Sequence, residues 1–109
     1  MAEATAFQID GVTRLVLRGE FDLADYDTLT AEVQRIEALR PRVLAIDLRE
    51  VHYIDSSGVR WLVEAHERAR TSGLRMLVIH GAGDAVLRVL RLCRLDEVLD
   101  LIEDTPAPV

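Results

Sequence analysis

The chain opens with two short β-like runs of apolar and polar residues, at residues 7–9 and 13–18, separated by Asp10-Gly11. Both residues of this dipeptide tolerate the positive φ angles that a tight hairpin turn requires. The pattern predicts a β-hairpin at the start of the chain. Residues 1–5 are expected to form a frayed tail before it.

Apolar residues spaced three and four apart predict three helices. The first is expected over residues 26–40, with Asp25 as its N-cap and Pro41 ending it. The second is expected over residues 57–72 with Gly73 as its C-cap, and the third follows Asp84. The predicted buried positions are Tyr26, Leu29, Val33 and Ile36 in the first helix, Val59, Leu62, Val63, His66 and Ala69 in the second, and Val86, Val89, Leu90 and Cys93 in the third.

Nearly continuous apolar runs at residues 43–48 and 74–79 predict strands that are covered on both faces. A loop is expected through Val51 and Ile54, a turn at residues 81–83, and a short helix or helix–strand pair over residues 96–102. Residues 104–109 are expected to be a frayed tail. Strands that alternate with helices predict an α/β domain with a mixed sheet, and 109 residues suit one domain over residues 1–109.

The formal charge is −6, and all 13 basic residues are arginines without a cluster. This argues against a nucleic-acid partner, and no basic amphipathic stripe indicates binding to a membrane. The chain has neither a signal-peptide pattern nor an apolar run long enough to span a membrane, so we expect a cytoplasmic protein. Cys93 is the single cysteine, which leaves no intramolecular disulfide and predicts a small buried side chain.

Catalytic, metal and cofactor sites have little support in the sequence. Ser57 with His52 could form part of a small serine hydrolase, but the G-x-S-x-G elbow is missing. His52, His66 and His80 lack the paired spacing of metal ligands, and residues 81–84 lack the third glycine of a dinucleotide-binding turn. We therefore expect a protein that is not an enzyme and has no metal or cofactor.

The segment Asp55-Ser56-Ser57-Gly58 lies at the predicted start of the second helix. Asp and Ser are common N-cap residues, so the segment is explained by helix capping alone. However, one cap suffices, and a strand-to-helix junction is also where α/β domains place their contacts. Spacing leaves both interpretations open.

The chain resembles the STAS domain family, specifically the stand-alone bacterial anti-sigma factor antagonists. The D-S-S-G segment within Val51–Val59 is the most specific feature, and the match runs in order along nearly the whole chain. The other matching segments are residues 17–23, 43–48, 73–78 and 89–95. After Gly58 the family usually has Leu and a small residue, whereas this chain has Val59, Arg60 and Trp61.

The resemblance implies a STAS-like fold and a binding protein that works by partner switching. In that family the unphosphorylated antagonist binds an anti-sigma factor, which is often a serine kinase, and so frees a sigma factor. The kinase phosphorylates the second serine of D-S-S-G, here Ser57, and a metal-dependent phosphatase reverses the modification. The residues expected to bind the partner are Asp22, Asp55, Ser56, Ser57, Gly58 and Arg60, and Arg60 enlarges the surface beside Ser57. The sequence leaves open whether Trp61 also lies on this surface or packs on the second face of the helix.

A phosphate on Ser57 is expected to be tolerated by the fold, because free N–H groups at a helix start favour an anion. The same charge buried against a partner is unfavourable, so the partner should be released. The alternative within the family is an adaptor that is not phosphorylated, such as the small subunit of a lipid-transport ATPase. We expect a monomer in either case.

Overall fold

The computed structural model describes residues 2–81 and 85–104. Its five strands are β1 (Ala2–Ile9), β2 (Val12–Phe21), β3 (Val43–Ile54), β4 (Arg75–His80) and β5 (Leu101–Glu103), and its helices are α1 (Tyr26–Ala38), α2 (Ser56–Ser72) and α3 (Ala85–Leu92). Short 3₁₀ helices span Leu23–Asp25 and Leu95–Glu97. The strands form one mixed sheet in the order β1-β2-β3-β4-β5, as the α/β prediction requires.

The opening hairpin is confirmed, and its strands are longer than predicted. Strand β1 pairs antiparallel with β2, and Asp10 and Gly11 between them have φ angles of 53° and 80°. The prediction that residues up to about 5 are frayed is wrong, because Ala2–Thr5 pair with Val16–Gly19. Exposed alternating residues at a sheet edge give a weak sequence signal, which is why this part of β1 was not predicted.

Strands β2 to β5 are parallel to one another. Residues 44–48 of β3 are all buried, which confirms a central strand covered on both faces. The predicted loop through Val51 and Ile54 is wrong, because β3 continues to Ile54 and pairs with β2 as far as Phe21. The register shifts between Val16 and Arg18 and again between Gly19 and Glu20. Because the pairing is irregular, the apolar pattern of residues 49–54 does not identify them as a continuation of the strand.

One hydrophobic cluster joins the three helices to alternate residues of the central strands. Leu15, Ile46 and Val78 lie in one row across the sheet and belong to this core. The buried stripe of α2 is rotated from the predicted one and consists of Gly58, Trp61, Leu62, Ala65 and Ala69. In α3 the buried residues are Val86, Leu87 and Leu90, whereas Cys93 is exposed, contrary to prediction.

Both ends of α1 differ from the predictions, whereas the end of α2 does not. Helix α1 ends at Ala38, and Asp25 at its start makes no side-chain capping hydrogen bond to it. Gly73 has a φ of 77° and ends α2 as predicted. The predicted cap Asp84 and most of the turn at 81–83 lie outside the described residues.

The predicted terminal tail at 104–109 is described only at Asp104. The Asp104 N–H donates to the His80 carbonyl at 3.0 Å, so this residue is held on the sheet and is not frayed. Residues 105–109 lie outside the described ranges. Across the helices that the structure describes, none is long and apolar enough to cross a membrane.

Candidate functional site

The predicted site residues meet where β2 and β3 end side by side. Phe21 pairs with Ile54, and the Asp55 N–H donates to the Phe21 carbonyl at 3.2 Å. Asp22 and Asp55 are the residues that immediately follow this pair. The carboxyl ends of two parallel strands therefore bring together two acidic residues that are 33 positions apart in the sequence.

Asp55 is the N-cap of α2. Its Oδ1 accepts hydrogen bonds from the Ser57 N–H at 2.9 Å and from the Gly58 N–H at 3.1 Å. The next amide, at Val59, donates to the Asp55 carbonyl at 3.0 Å. The interpretation of the segment as a helix cap is correct, and Asp55 is the residue that makes the cap. The N–H groups of Ser57 and Gly58, which were expected to be free to receive a phosphate on Ser57, already donate to the Asp55 carboxylate.

The two serines of the segment differ in exposure. Ser56 is exposed and Ser57 is half-buried, one residue further into the first turn of α2. Neither hydroxyl has a hydrogen-bond partner within residues 2–81 and 85–104. The Ser57 hydroxyl is thus available for chemistry without the loss of an internal hydrogen bond.

The arrangement required for a serine hydrolase is not seen in the described residues. His52 is exposed on β3 and makes no hydrogen bond with Ser57, while the Asp55 carboxylate caps the helix and orients no histidine. A nucleophilic serine needs a base within hydrogen-bond reach. No group of three or more potential metal ligands occurs in the same residues.

Gly58 is buried, and its lack of a side chain allows close packing against Ile54 and Phe21. A Cβ at this position would overlap Ile54 Cγ1 and would lie 2.9 Å from Ile54 Cδ1 and 3.2 Å from Phe21 Cδ1. The glycine therefore lets the first turn of α2 approach the ends of β2 and β3. Because Gly58 is buried, its exposure does not support the prediction that it contacts a partner.

Asp22 and Asp25 form a reciprocal capping box at the 3₁₀ helix Leu23–Asp25. Asp22 Oδ1 accepts from the Ala24 N–H at 3.0 Å, and the Asp25 carboxylate accepts from the N–H groups of Asp22 at 3.2 Å and Ala2 at 3.0 Å. Burial raises the pKa of Asp25, but these backbone hydrogen bonds outweigh it and leave the pKa below 3.8. Asp25, which was predicted to cap α1, instead accepts a hydrogen bond from Ala2 and so holds the start of β1 next to the site.

Arg60 lies one turn after Ser57 and contacts two other side chains. Its guanidinium carbon is 4.7 Å from the centre of the Tyr26 ring, and its Nε is 3.4 Å from Glu64 Oε1. The Tyr26 hydroxyl donates to Glu64 Oε2. This hydrogen bond is the main reason that the pKa of Tyr26 is raised. Arg60 is therefore on the surface beside the site, as predicted.

Trp61 does not enlarge this surface. Its side chain is buried, with 1% of the residue exposed, and its ring packs against Phe21 with the centroids 5.2 Å apart. The sequence left open whether Trp61 is a surface or a core residue. Its position in the buried stripe of α2 makes it part of the core beneath the site.

Two exposed apolar residues flank the site and were not predicted. Leu23 follows Asp22 and is 66% exposed, and Tyr53 pairs with Glu20 near the end of β3 and is 53% exposed. If residues 51–54 had been recognised as strand, alternation would have placed Tyr53 opposite the buried Ile54. These side chains give the acidic edge of the site an apolar component.

A family model described as "Mlab, STAS domain" matches residues 5–103 of the chain. No curated protein sequence matches the chain.

Several solved structures share the fold. An anti-sigma factor antagonist from Mycobacterium paratuberculosis is 24% identical over 93% of this chain and 85% of that chain, with a TM-score of 0.81. SpoIIAA, an anti-sigma factor antagonist, matches in its unphosphorylated form with 14% identity, 94% and 89% coverage and a TM-score of 0.78. Its phosphorylated form, described as a Bacillus cell-fate determinant, matches with 15% identity, 94% and 92% coverage and a TM-score of 0.72.

A sulfate transporter family protein from Wolinella succinogenes is 27% identical over 85% of this chain and 75% of that chain, with a TM-score of 0.72. At these levels of identity the similarities establish a common fold.

Proposed function

The chain belongs to the STAS domain family, and we propose that it is an anti-sigma factor antagonist controlled by phosphorylation of Ser57. The observation that carries the proposal is the Ser57 hydroxyl, half-buried at the start of α2 without a hydrogen-bond partner in the described residues. Structural neighbours that are anti-sigma factor antagonists, one of which, SpoIIAA, also has a phosphorylated form, support it. The protein would act in the cytoplasm as a monomer, without enzymatic activity.

The unphosphorylated protein would bind an anti-sigma factor through the site, and the sigma factor held by that protein would be released. Leu23 and Tyr53 supply exposed apolar area at the edge of the site. Glu20, Asp22 and Asp55 supply negative charge around them. A partner surface that fits would place an apolar pocket over Leu23 and Tyr53 and basic residues opposite Glu20 and Asp22, and would bury Ser57 with no cation facing it.

Phosphorylation of Ser57 would release this partner by a charge effect. A phosphate adds a charge of about −1.5 to −2 beside residues that are already acidic. An unmatched charge within an interface costs about 2–5 kcal/mol. The anti-sigma factor itself would be the serine kinase, and a metal-dependent phosphatase would restore the binding form.

The experiment compares the affinities of Ser57→Ala and Ser57→Asp for the cognate anti-sigma factor. We expect Ser57→Asp to bind at least about tenfold more weakly, which corresponds to 1.4 kcal/mol. Ser56→Asp, which places the same charge one residue earlier, is the matched control for position. Incubation of the wild-type protein with ATP and the kinase, followed by mass spectrometry, should place the phosphate on Ser57. Equal affinities of the two Ser57 variants would contradict the proposal.

A second candidate is an adaptor that binds a membrane transporter without being phosphorylated, such as the small subunit of a lipid-transport ATPase. The structural similarity to a sulfate transporter family protein favours this second function. Affinity purification from the native host distinguishes the two functions. Recovery of a transporter ATPase with no phosphate on Ser57 would select the adaptor, whereas recovery of a soluble serine kinase would select the antagonist.

A further inference from the structure

We propose that Arg60 is the counter-ion of a phosphate on Ser57, and that phosphorylation draws its guanidinium group away from Glu64 and Tyr26. The inference rests on the proposed function, because it takes Ser57 as the phosphorylated residue. It adds a specific residue that receives the phosphate and a change in the surface beside it.

The backbone amides of Ser57, Gly58 and Val59 are not free to hold the phosphate. The N–H groups of Ser57 and Gly58 both donate to the Asp55 carboxylate, and the Val59 N–H donates to the Asp55 carbonyl. A phosphate on Ser57 would therefore meet a carboxylate at the helix start. It needs a cationic side chain within reach to offset this repulsion.

Arg60 is the first basic residue of α2, and the next arginine, Arg68, lies two turns further on. Residues three apart on a helix are neighbours on one face, with about 5–6 Å between their Cβ atoms. In the structure the Arg60 side chain is directed the other way, to Glu64 one turn later in the helix. The general lean of helical side chains toward the N-terminus favours the rotamers that would turn it toward Ser57. Its long side chain, which is 60% exposed, can reach a phosphate there by a change of rotamer.

The present contacts of Arg60 are weak competitors for its guanidinium group. The ion pair with Glu64 is long at 3.4 Å, and the side chains of Arg60 and Glu64 are 60% and 44% exposed. Exposed ion pairs of this kind contribute little to stability. A phosphate carries a charge of about −1.5 to −2 and three acceptor oxygens, so it outcompetes a single carboxylate. Tyr26 and Glu64 keep their mutual hydrogen bond when Arg60 leaves.

Two consequences follow for the surface. Part of the phosphate charge is neutralised within the protein, and the faces of Tyr26 and Glu64 that Arg60 covers become accessible. Phosphorylation then adds charge to the site and also replaces a cationic contact surface with an anionic one.

The experiment uses the full-length protein with phosphoserine inserted at position 57 during translation. The second pKa of the phosphate is measured by ³¹P NMR in the wild-type background, in Arg60→Gln and in Arg70→Gln. Arg70 is the matched control, because it lies on the same helix and is 70% exposed in a comparable ion pair with Glu67. We expect the phosphate pKa to be about 0.2–0.7 unit higher in Arg60→Gln than in the other two proteins, since a nearby cation favours the dianion.

The Nε–Hε signal of Arg60 should also shift on phosphorylation, while that of Arg70 should not. The same phosphate pKa in all three proteins would overturn the proposal. Loss of the folded fluorescence of Trp61, the single tryptophan, in the phosphoprotein would also overturn it, because the fold is required to accept the phosphate. The phosphate is installed without kinase or partner. A failure of any kinase to modify Ser57 would therefore count against the proposed function and leave this result unaffected.

Discussion

Gly58 and Asp55, three residues apart in one motif, have different physical roles. Asp55 satisfies the first amides of α2 through its carboxylate. Gly58 leaves room for the Ile54 and Phe21 side chains beneath the helix. Together they fix the start of the helix on which Ser57 is presented, so changes at either residue should alter stability before they alter recognition.

Replacement of Gly58 by Ala should destabilise the protein. Glycine to alanine within a helix normally stabilises by about 0.5–1 kcal/mol. Here the new methyl group would overlap Ile54, and overpacking of a core costs about 1–3 kcal/mol. We expect a net loss in the free energy of unfolding, measured by urea denaturation with Trp61 fluorescence. Ser56→Ala, at an exposed position of the same turn, should change stability by less than about 0.5 kcal/mol. A Gly58→Ala variant as stable as the wild type would contradict this packing role.

Replacement of Asp55 by Ala should cost about 0.5–2 kcal/mol, the typical effect of removing an N-cap. Asn retains an acceptor oxygen in the same place, so Asp55→Asn should lose much less. Thermal unfolding of the two variants checks the ranking. Equal losses would show that the negative charge of Asp55, and not its hydrogen-bonding geometry, stabilises the helix start.

A charged network on β2 and β3 joins the central strands to the segment after β5. The buried Asp47 Oδ2 accepts from Arg14 at 2.7 Å and from Arg49 at 3.0 Å. The Asp104 carboxylate lies 3.5 Å from the first guanidinium and 3.4 Å from the second. Burial raises the pKa of Asp47, but the hydrogen bonds from Arg49 and Arg14 outweigh it, and its pKa lies below 3.8. The network therefore stabilises the sheet only while Asp47 is ionised.

The free energy of unfolding should fall as the pH is lowered through the depressed pKa of Asp47. Its contribution is fully present above its ordinary pKa of 3.8 and disappears below the folded-state value. Asp47→Asn should lose about 1–3 kcal/mol at neutral pH and show a shallower decrease in acid. Denaturant titrations between about pH 7 and pH 2 measure both effects.

Asp100→Asn is the control for this prediction, because Asp100 forms an exposed ion pair with Arg75 at 3.5 Å. Its loss should cost less than about 1 kcal/mol. Identical acid profiles for Asp47→Asn and the wild type would exclude Asp47 as the source of the pH dependence.

At the scale of the molecule, the site is an edge where two parallel strands end and α2 begins. Its exposed apolar residues are Leu23, just after β2, and Tyr53, near the end of β3. Other exposed apolar residues lie elsewhere, such as Leu39 just after α1. This distribution allows the proposed binding surface to be tested with matched leucines.

Leu23→Ala should weaken binding to the anti-sigma factor by roughly fivefold or more, as expected for an apolar residue that contributes over 1 kcal/mol to an interface. Tyr53→Ala should have an effect of similar or larger size. Leu39→Ala, at 73% exposure, removes the same atoms away from the site and should leave affinity unchanged. Isothermal titration calorimetry measures all three. Equal effects of the two leucine substitutions would place the interface elsewhere.

Local patterns in the sequence determined the hairpin turn, the three helices, the buried centre of β3 and the presence of a helix cap within residues 55–58. Each of these depends on residues close together in the chain, through turn chemistry, apolar periodicity or a cap. The resemblance carried by the D-S-S-G segment led to the STAS family, which the family model confirms.

Only the tertiary structure decided the features that depend on distant residues. The extension of β3 to Ile54 follows from its pairing with β2, and the rotation of the buried stripe in α2 follows from packing of Trp61 on Phe21. The network of Arg60, Tyr26 and Glu64 joins two helices that are far apart in sequence. Such contacts are set by the register of strands and the approach of helices, and local spacing carries no record of either.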